Sequence, residues 1–269
     1  MNILALLPYE GILWDTVSPL LTEKEVERLQ GKNDTYRVES ALSRLLLFSL
    51  VRDLFGERTH AEVVYEDGGK PTLRFSYDAC HCLSENREAD PFLYAEGEGE
   101  QMENSPQTNT LLLPKNLTVS LSHTEGGCAV LLSDEGACGV DTENLLCVTQ
   151  MKKESIKRIY EKMHLPDFIP QNTEKTLKLT TIIYKIDKNN GKITRTKDKM
   201  AKNTDAVFNE KSDDVDTEVF DFTVAYTRME ATGKMTGKGV AFLPDRHTLP
   251  PYKVTTLRYE NLIVSCVVE

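Results

Sequence analysis

Three short segments of this 269-residue chain hold side chains whose types and spacing could do chemistry. In GVDTE, Asp141 and Glu143 stand two residues apart. Alternate residues of an extended strand share a face, so the two carboxylates lie side by side and Thr142 turns away. Two such charges repel unless a cation sits between them, and hard oxygen donors of this kind suit Mg²⁺. Upstream, SLSH puts Ser122 and His123 at the end of an alternating apolar run. Downstream, MEATGK carries Glu230 and Lys234 four residues apart, on one face of a helix. Each segment also has a plain reading taken alone: solvated strand-end acids, a hydrogen-bonded turn histidine, a surface ion pair. Lys70 in GGKP is by itself an ordinary hairpin lysine, and Cys80-His81-Cys82 lacks the second ligand pair of a structural zinc site.

The elements that must position these residues can be read from periodicity and punctuation. MNILALLPYE reads as a first strand. Thr22 opens a short helix with a capping-box pattern, Thr-x-x-Glu. A longer helix is expected over Asp34–Phe55, where Val38, Leu42, Leu45, Leu46 and Ser49 recur at helical spacing and Gly56 supplies a C-cap. Val63-Val64-Tyr65 and Leu73-Arg74-Phe75 read as strands around the Gly-Gly turn that ends at Pro71. Further strands are expected at 117–121, 128–132 and 138–141, a helix at 152–162, a helix from Phe220 to Met235 closed by Gly237 and Gly239, and strands at 252–258 and 262–268. Residues 165–218 read as irregular, apart from a hairpin of TIIYKI and KITRT around Asn189-Asn190-Gly191.

Charge is segregated along the chain. The formal net charge is −10, yet residues 151–202 hold 14 Lys/Arg against 6 Asp/Glu, a net +8, so the remainder carries −18. Such a basic segment is either a solvated insertion or a docking surface for an acidic partner. No nucleic-acid motif or aromatic–basic interleaving accompanies the lysines, so no nucleic-acid partner is expected. No run of about eighteen apolar residues appears, so no membrane span is expected. The N-terminus lacks a basic leader and a small-residue cleavage site, and the six cysteines form no CxxC pair, which together suggest a cytoplasmic protein with reduced thiols.

Taken in order, Arg37 on its helix, Gly69-Lys70-Pro71, Ser122-His123, Gly139-Val140-Asp141-x-Glu143 and Glu230-Ala231-x-x-Lys234 with the trailing TGKG resemble one family. That family is the 4′-phosphopantetheinyl transferases of the larger, surfactin-synthetase-activating type. The resemblance spans most of the chain apart from two charged insertions. It implies an α/β (α+β) fold of two similar halves related by a pseudo-twofold axis, each a small sheet packed on a helix. The halves would be 1–116, with an insertion at about 77–110, and 117–269, with an insertion at about 163–218.

The activity so implied is transfer of the 4′-phosphopantetheine group of coenzyme A to a serine of an apo acyl- or peptidyl-carrier protein, releasing 3′,5′-ADP. Asp141, Glu143 and Glu230 would hold Mg²⁺, or Mn²⁺. Lys70 and Pro71 would meet the adenine nucleotide, Ser122 and His123 its phosphates, Arg37 the 3′-phosphate and Lys234 the pyrophosphate. Asp141, Glu230 and Lys234 would carry catalysis, with Glu230 the general base, or orienting a water on the metal, and Glu143 behind it. A single chain that supplies both halves implies a monomer. The chain departs from the family's usual Trp-x-x-Lys-Glu in having Tyr226 and Met229 before Glu230. Loss of that lysine opens an alternative, a homologue that binds coenzyme A or a carrier protein without turnover. A third alternative is an interaction module whose lysine-rich segment binds an acidic partner.

Overall fold

The structure, a computed structural model, describes residues 1–57, 59–65, 71–77, 117–148, 157–158, 161–162, 175–196, 217–237 and 252–269. In chain order its elements are β1 (Asn2–Pro8), α1 (Trp14–Val17), α2 (Glu23–Arg28), α3 (Asp34–Phe55), β2 (Thr59–Tyr65), β3 (Pro71–Tyr77), β4 (Thr118–Thr124), β5 (Gly127–Ser133), β6 (Cys138–Asn144), α4 (Leu145–Val148), β7 (Lys175–Thr176), β8 (Thr180–Ile186), β9 (Ile193–Arg195), α5 (Thr217–Thr236), β10 (Lys253–Tyr259) and β11 (Leu262–Val268). The chain is mixed α/β. A seven-stranded sheet runs β2-β3-β4-β5-β1-β8-β9, and a four-stranded sheet runs β6-β11-β10-β7.

The local signals account for most of these boundaries. Thr22 caps α2 in a capping box with Glu25. Asn33 caps α3 through its side chain to the Tyr36 N–H, and Gly56 ends that helix at φ 94°. α5 begins three residues before the sequence expectation and stops where Gly237 turns at φ 69°. Of the helix expected at 152–162, the four described residues are helical and exposed. The Gly-Gly turn before Pro71, Gly239, the Cys80-His81-Cys82 cluster and the acidic stretch 77–110 beyond Tyr77 lie outside the described residues. Among the described residues no helix is long and apolar enough to cross a membrane.

Two buried layers follow from strands with both faces covered. Along β1, Ile3, Ala5 and Leu7 pack with Leu42, Leu46 and Leu50 of α3, while Leu4 and Leu6 pack with Val140, Val264, Cys266 and Val268 of the smaller sheet. Strands enclosed on both sides lose their polar alternation, which is why NILALLP and GCAVLLS read as unbroken apolar runs. The other face of the smaller sheet receives α5, with Ala231 and Met235 on Val254 and Val267. The order is therefore α3, large sheet, small sheet, α5.

The stretch at about 163–218 was expected as an irregular charged insertion, and over 180–186 the structure corrects that. Here β8 pairs in parallel with β1, from Ile3 opposite Thr180 to Leu6 opposite Ile183. Tyr184 is 1% exposed and donates its hydroxyl to Asp53 at 2.7 Å. The expected hairpin is present: β8 and β9 pair in antiparallel register, and Gly191 takes φ 68° in the turn. What the lysine-rich surroundings did not reveal is that TIIYKI pairs with β1 inside the large sheet instead of standing as an isolated hairpin. Strands from both sides of residue 116 share the large sheet, because β3 meets β4 at Thr72 opposite Thr118.

One position sets how closely α5 lies on the small sheet. Gly139 of β6 faces the helix so tightly that an added Cβ would stand 1.9 Å from the Ala231 carbonyl oxygen and 2.7 Å from the Met235 nitrogen. Both are helix backbone, which cannot move aside alone. Gly139→Ala should therefore destabilise the protein by about 1–3 kcal/mol or more, read as a lower urea midpoint at unchanged slope. An unchanged midpoint would refute the close approach.

Candidate active site

β6 is the edge of the small sheet, and its outward N–H groups need partners. β4 supplies them from side chains. The Val140 N–H donates to Ser120 Oγ at 3.0 Å, and the Thr142 N–H donates to Ser122 Oγ at 3.2 Å. Ser122 Oγ in turn donates to Asp141 Oδ1 at 2.9 Å. Lys234, in the last turn of α5, donates to Asp141 Oδ1 at 2.7 Å and to Ser122 Oγ at 3.0 Å. A hydroxyl has one donor and two acceptor sites, so Ser122 is fully used. Asp141 is 5% exposed, and its second oxygen, Oδ2, is buried with no hydrogen-bond partner.

Two further carboxylates crowd this group. Burial pushes the Glu143 carboxyl up to about 7, with Asp141 and then Glu230 adding repulsion that Lys234 and a hydrogen bond from Thr124 only partly offset. Burial also raises the Glu230 carboxyl, and Asp141 adds to it, against a hydrogen bond from Tyr226 and the charge of Lys234. One ammonium thus faces three acids. Among the described residues no three Asp, Glu, His or Cys side chains already stand at metal-holding spacing. The donor set nevertheless fits a hard divalent cation by its chemistry: all oxygen, excess negative charge, and a buried carboxylate oxygen left without a partner.

Beyond the end of β4 lies a second group. His123 Nδ1 is 3.2 Å from Glu39 Oε2, and Tyr36 meets the imidazole edge-on with centroids 5.5 Å apart. Both partners come from the first turns of α3. Arg37 stacks over Trp14 at 3.9 Å and pairs with Asp34 at 2.9 Å. A cleft of about 520 Å³ opens there, lined by Tyr9, Trp14, Arg37, Glu39 and Glu125 among others. Arg37 lines this cleft beside Glu39, the residue that holds His123, so one helix turn serves both positions. Pro71 does not join them. The β3–β4 register puts it one residue past Thr118, hence roughly 13 Å from His123 along the strand. Lys70 lies outside the described residues.

Several residues of the site escaped the sequence reading. Tyr226, read from the sequence only as standing where the family has Trp, lies four residues before Glu230 on one helix face and hydrogen-bonds it. Glu39 follows Arg37 by two and had no separate signal, and Trp14 reads locally as an ordinary apolar anchor. Met229 is 2% exposed. Its neighbour Arg228 is also buried and turns to the small sheet, where Nε donates to Thr256 Oγ1 at 2.8 Å. Burial lowers that guanidinium to about 10. Thr256 and Thr227 both meet the Ser265 hydroxyl, at 3.0 and 2.7 Å, so Arg228 joins a buried polar seam between α5 and the small sheet.

No protein-family model matches this chain, and no curated protein matches it.

The raised Glu143 carboxyl has a stability consequence of definite sign. The folded state keeps a proton up to about pH 7 that the unfolded chain releases near 4.5. Stability must then fall as pH rises through that window and stay level above it. Measured in chelator, Glu143→Gln should gain on the parent between pH 4.5 and 7 and hold a constant lead at pH 8. A difference in urea midpoint that does not vary with pH would remove the assignment.

Proposed function

We propose that this chain is a 4′-phosphopantetheinyl transferase, moving the phosphopantetheine arm of coenzyme A to a serine of an apo acyl- or peptidyl-carrier protein. The observation that carries the proposal is the mutual contact of Ser122, Asp141 and Lys234. Three motifs meet at one buried carboxylate, and Asp141 helps to raise the carboxyls of both Glu143 and Glu230.

The chemistry asked of these residues is positioning and charge neutralisation. The carrier serine oxygen attacks the β-phosphorus of coenzyme A, the phosphorus–oxygen bond to the α-phosphate breaks, and 3′,5′-ADP departs. A serine hydroxyl is too weak an acid to attack unaided, so a base must take its proton. Glu230, lifted in pKa and steadied by Tyr226, suits that role, and Glu143 stands behind it. Lys234 offsets charge on the departing pyrophosphate oxygens, and His123 and Arg37 face phosphate groups from the α3 side, with Lys70 and Pro71 at the nucleotide. Asp141, Glu143 and Glu230 would hold Mg²⁺ or Mn²⁺, which supplies electrostatic stabilisation of the pyrophosphate. To this reading also belong the pseudo-twofold relation between the halves 1–116 and 117–269, a monomeric cytoplasmic enzyme, and docking of an acidic carrier on the basic segment 151–202. Lys185, Lys188, Lys192 and Arg195 of that segment are exposed around the β8–β9 hairpin.

A second reading, binding of coenzyme A or a carrier without turnover, is favoured by Met229, which stands buried where the family has a lysine. Purified protein incubated with coenzyme A, Mg²⁺ and several apo carriers should add one phosphopantetheine to a carrier by mass, and Asp141→Ala should abolish the adduct. Calorimetric binding of coenzyme A with no adduct on any carrier would establish the second reading instead.

A further inference from the structure

Lys234 holds the very carboxylate that a cation in this site needs. Its ammonium lies 2.7 Å from Asp141 Oδ1, an oxygen that already accepts from Ser122, so the open position on that carboxylate is the buried Oδ2. Asp141 is fixed by the β6 backbone beneath α5, and it cannot turn far. Lys234 differs: its side chain is 33% exposed and leaves the last turn of the helix on a flexible four-carbon stem. Glu143 and Glu230 surround the pair, so the ammonium is the internal counter-charge of an otherwise acidic cluster.

We propose that Lys234 is the resident counter-ion of this site, that it competes with a divalent cation for Asp141, and that cation entry releases its ammonium for an anionic ligand. The inference rests on the metal reading given above and deepens it by setting an order. With the cation absent, Lys234 is spent on Asp141 and a phosphate group meets a net negative cluster. Once a divalent ion has replaced it, the same ammonium is free a few ångströms away, and the cluster no longer repels an anion. Cation and phosphate binding are thereby coupled through one side chain.

The test measures cation binding and not turnover. Mn²⁺ titrations followed by electron paramagnetic resonance, and Mg²⁺ calorimetry, would compare the parent with Lys234→Met and Lys234→Arg. Removing the competitor should tighten cation binding in Lys234→Met by roughly threefold to fivefold, the scale of a partly exposed ion pair. Lys234→Arg, which keeps the charge, should stay near the parent. Equal or weaker binding by Lys234→Met overturns the competition while leaving the metal site standing. Absence of binding by all three proteins overturns the metal reading and this inference with it. If Lys234→Met does not fold, the ¹⁵N resonance of the Lys234 ammonium in the parent decides: it should shift and exchange faster with solvent on Mg²⁺ addition, and a resonance unmoved at saturation overturns the proposal.

Discussion

The site depends on a missing methyl group. Side chains on β6 that face α5 are Gly139, Asp141 and Glu143, in that order along the strand, and the first has no Cβ to hold the helix off. Ala231 and Met235 therefore settle against strand backbone. That depth carries Lys234 onto Asp141 and brings Glu230 within electrostatic range of Glu143. A helix displaced outward by the width of one methyl would leave the ammonium short of its carboxylate. Packing at one end of the strand thus sets electrostatics at the other.

A second constraint acts from the opposite side. An edge strand with unpaired N–H groups is normally solvated or covered, and here β4 covers β6 with the hydroxyls of Ser120 and Ser122. Serine is small enough to let two strands of different sheets approach, and polar enough to replace the absent ladder. The same Ser122 hydroxyl then reaches Asp141, so the bond that joins the sheets also orients the carboxylate. Structural and chemical roles converge on one atom. The polar seam of Thr227, Thr256, Ser265 and Arg228 continues on the same face, a buried network that ties α5 to the sheet beside the cluster, with Ser265 directly opposite Asp141 across the β6–β11 pair.

Much of this was legible in the sequence, for identifiable reasons. The boundaries of α3 followed from helical spacing and Gly56, because local signals and tertiary packing agree there, and the strands expected at 252–258 and 262–268 lie within a residue of β10 and β11. The pairing of Asp141 with Glu143 followed from the two-residue period of a strand. That Ser122, Asp141 and Lys234 belong to one site came from resemblance, since no local rule joins Lys234 to residues 93 and 112 positions away. What stayed hidden was set by long-range geometry. The β8–β9 hairpin was legible from Asn189-Asn190-Gly191, but its place in the large sheet was not, because parallel pairing with β1 leaves no turn signal between the two strands. Glu39 had no motif, and its value comes from where the first turns of α3 meet the end of β4. Met229 drew attention as a lost cation, whereas Arg228 beside it proved to be the buried charge.

The position of β1 has a consequence for how the molecule comes into being. This first strand sits between β5 and β8, partners more than a hundred residues downstream, and both its faces are enclosed by elements that include the last strand, β11. Contacts of such long sequence separation must pay loop closure before they return any stability, which slows folding. ILALL therefore lacks its first strand partner until residues 127–133 have been made and its second until 180–186, and the small sheet over its other face needs residues 262–268. β1 is thus secured on both edges and both faces only by residues far downstream of it.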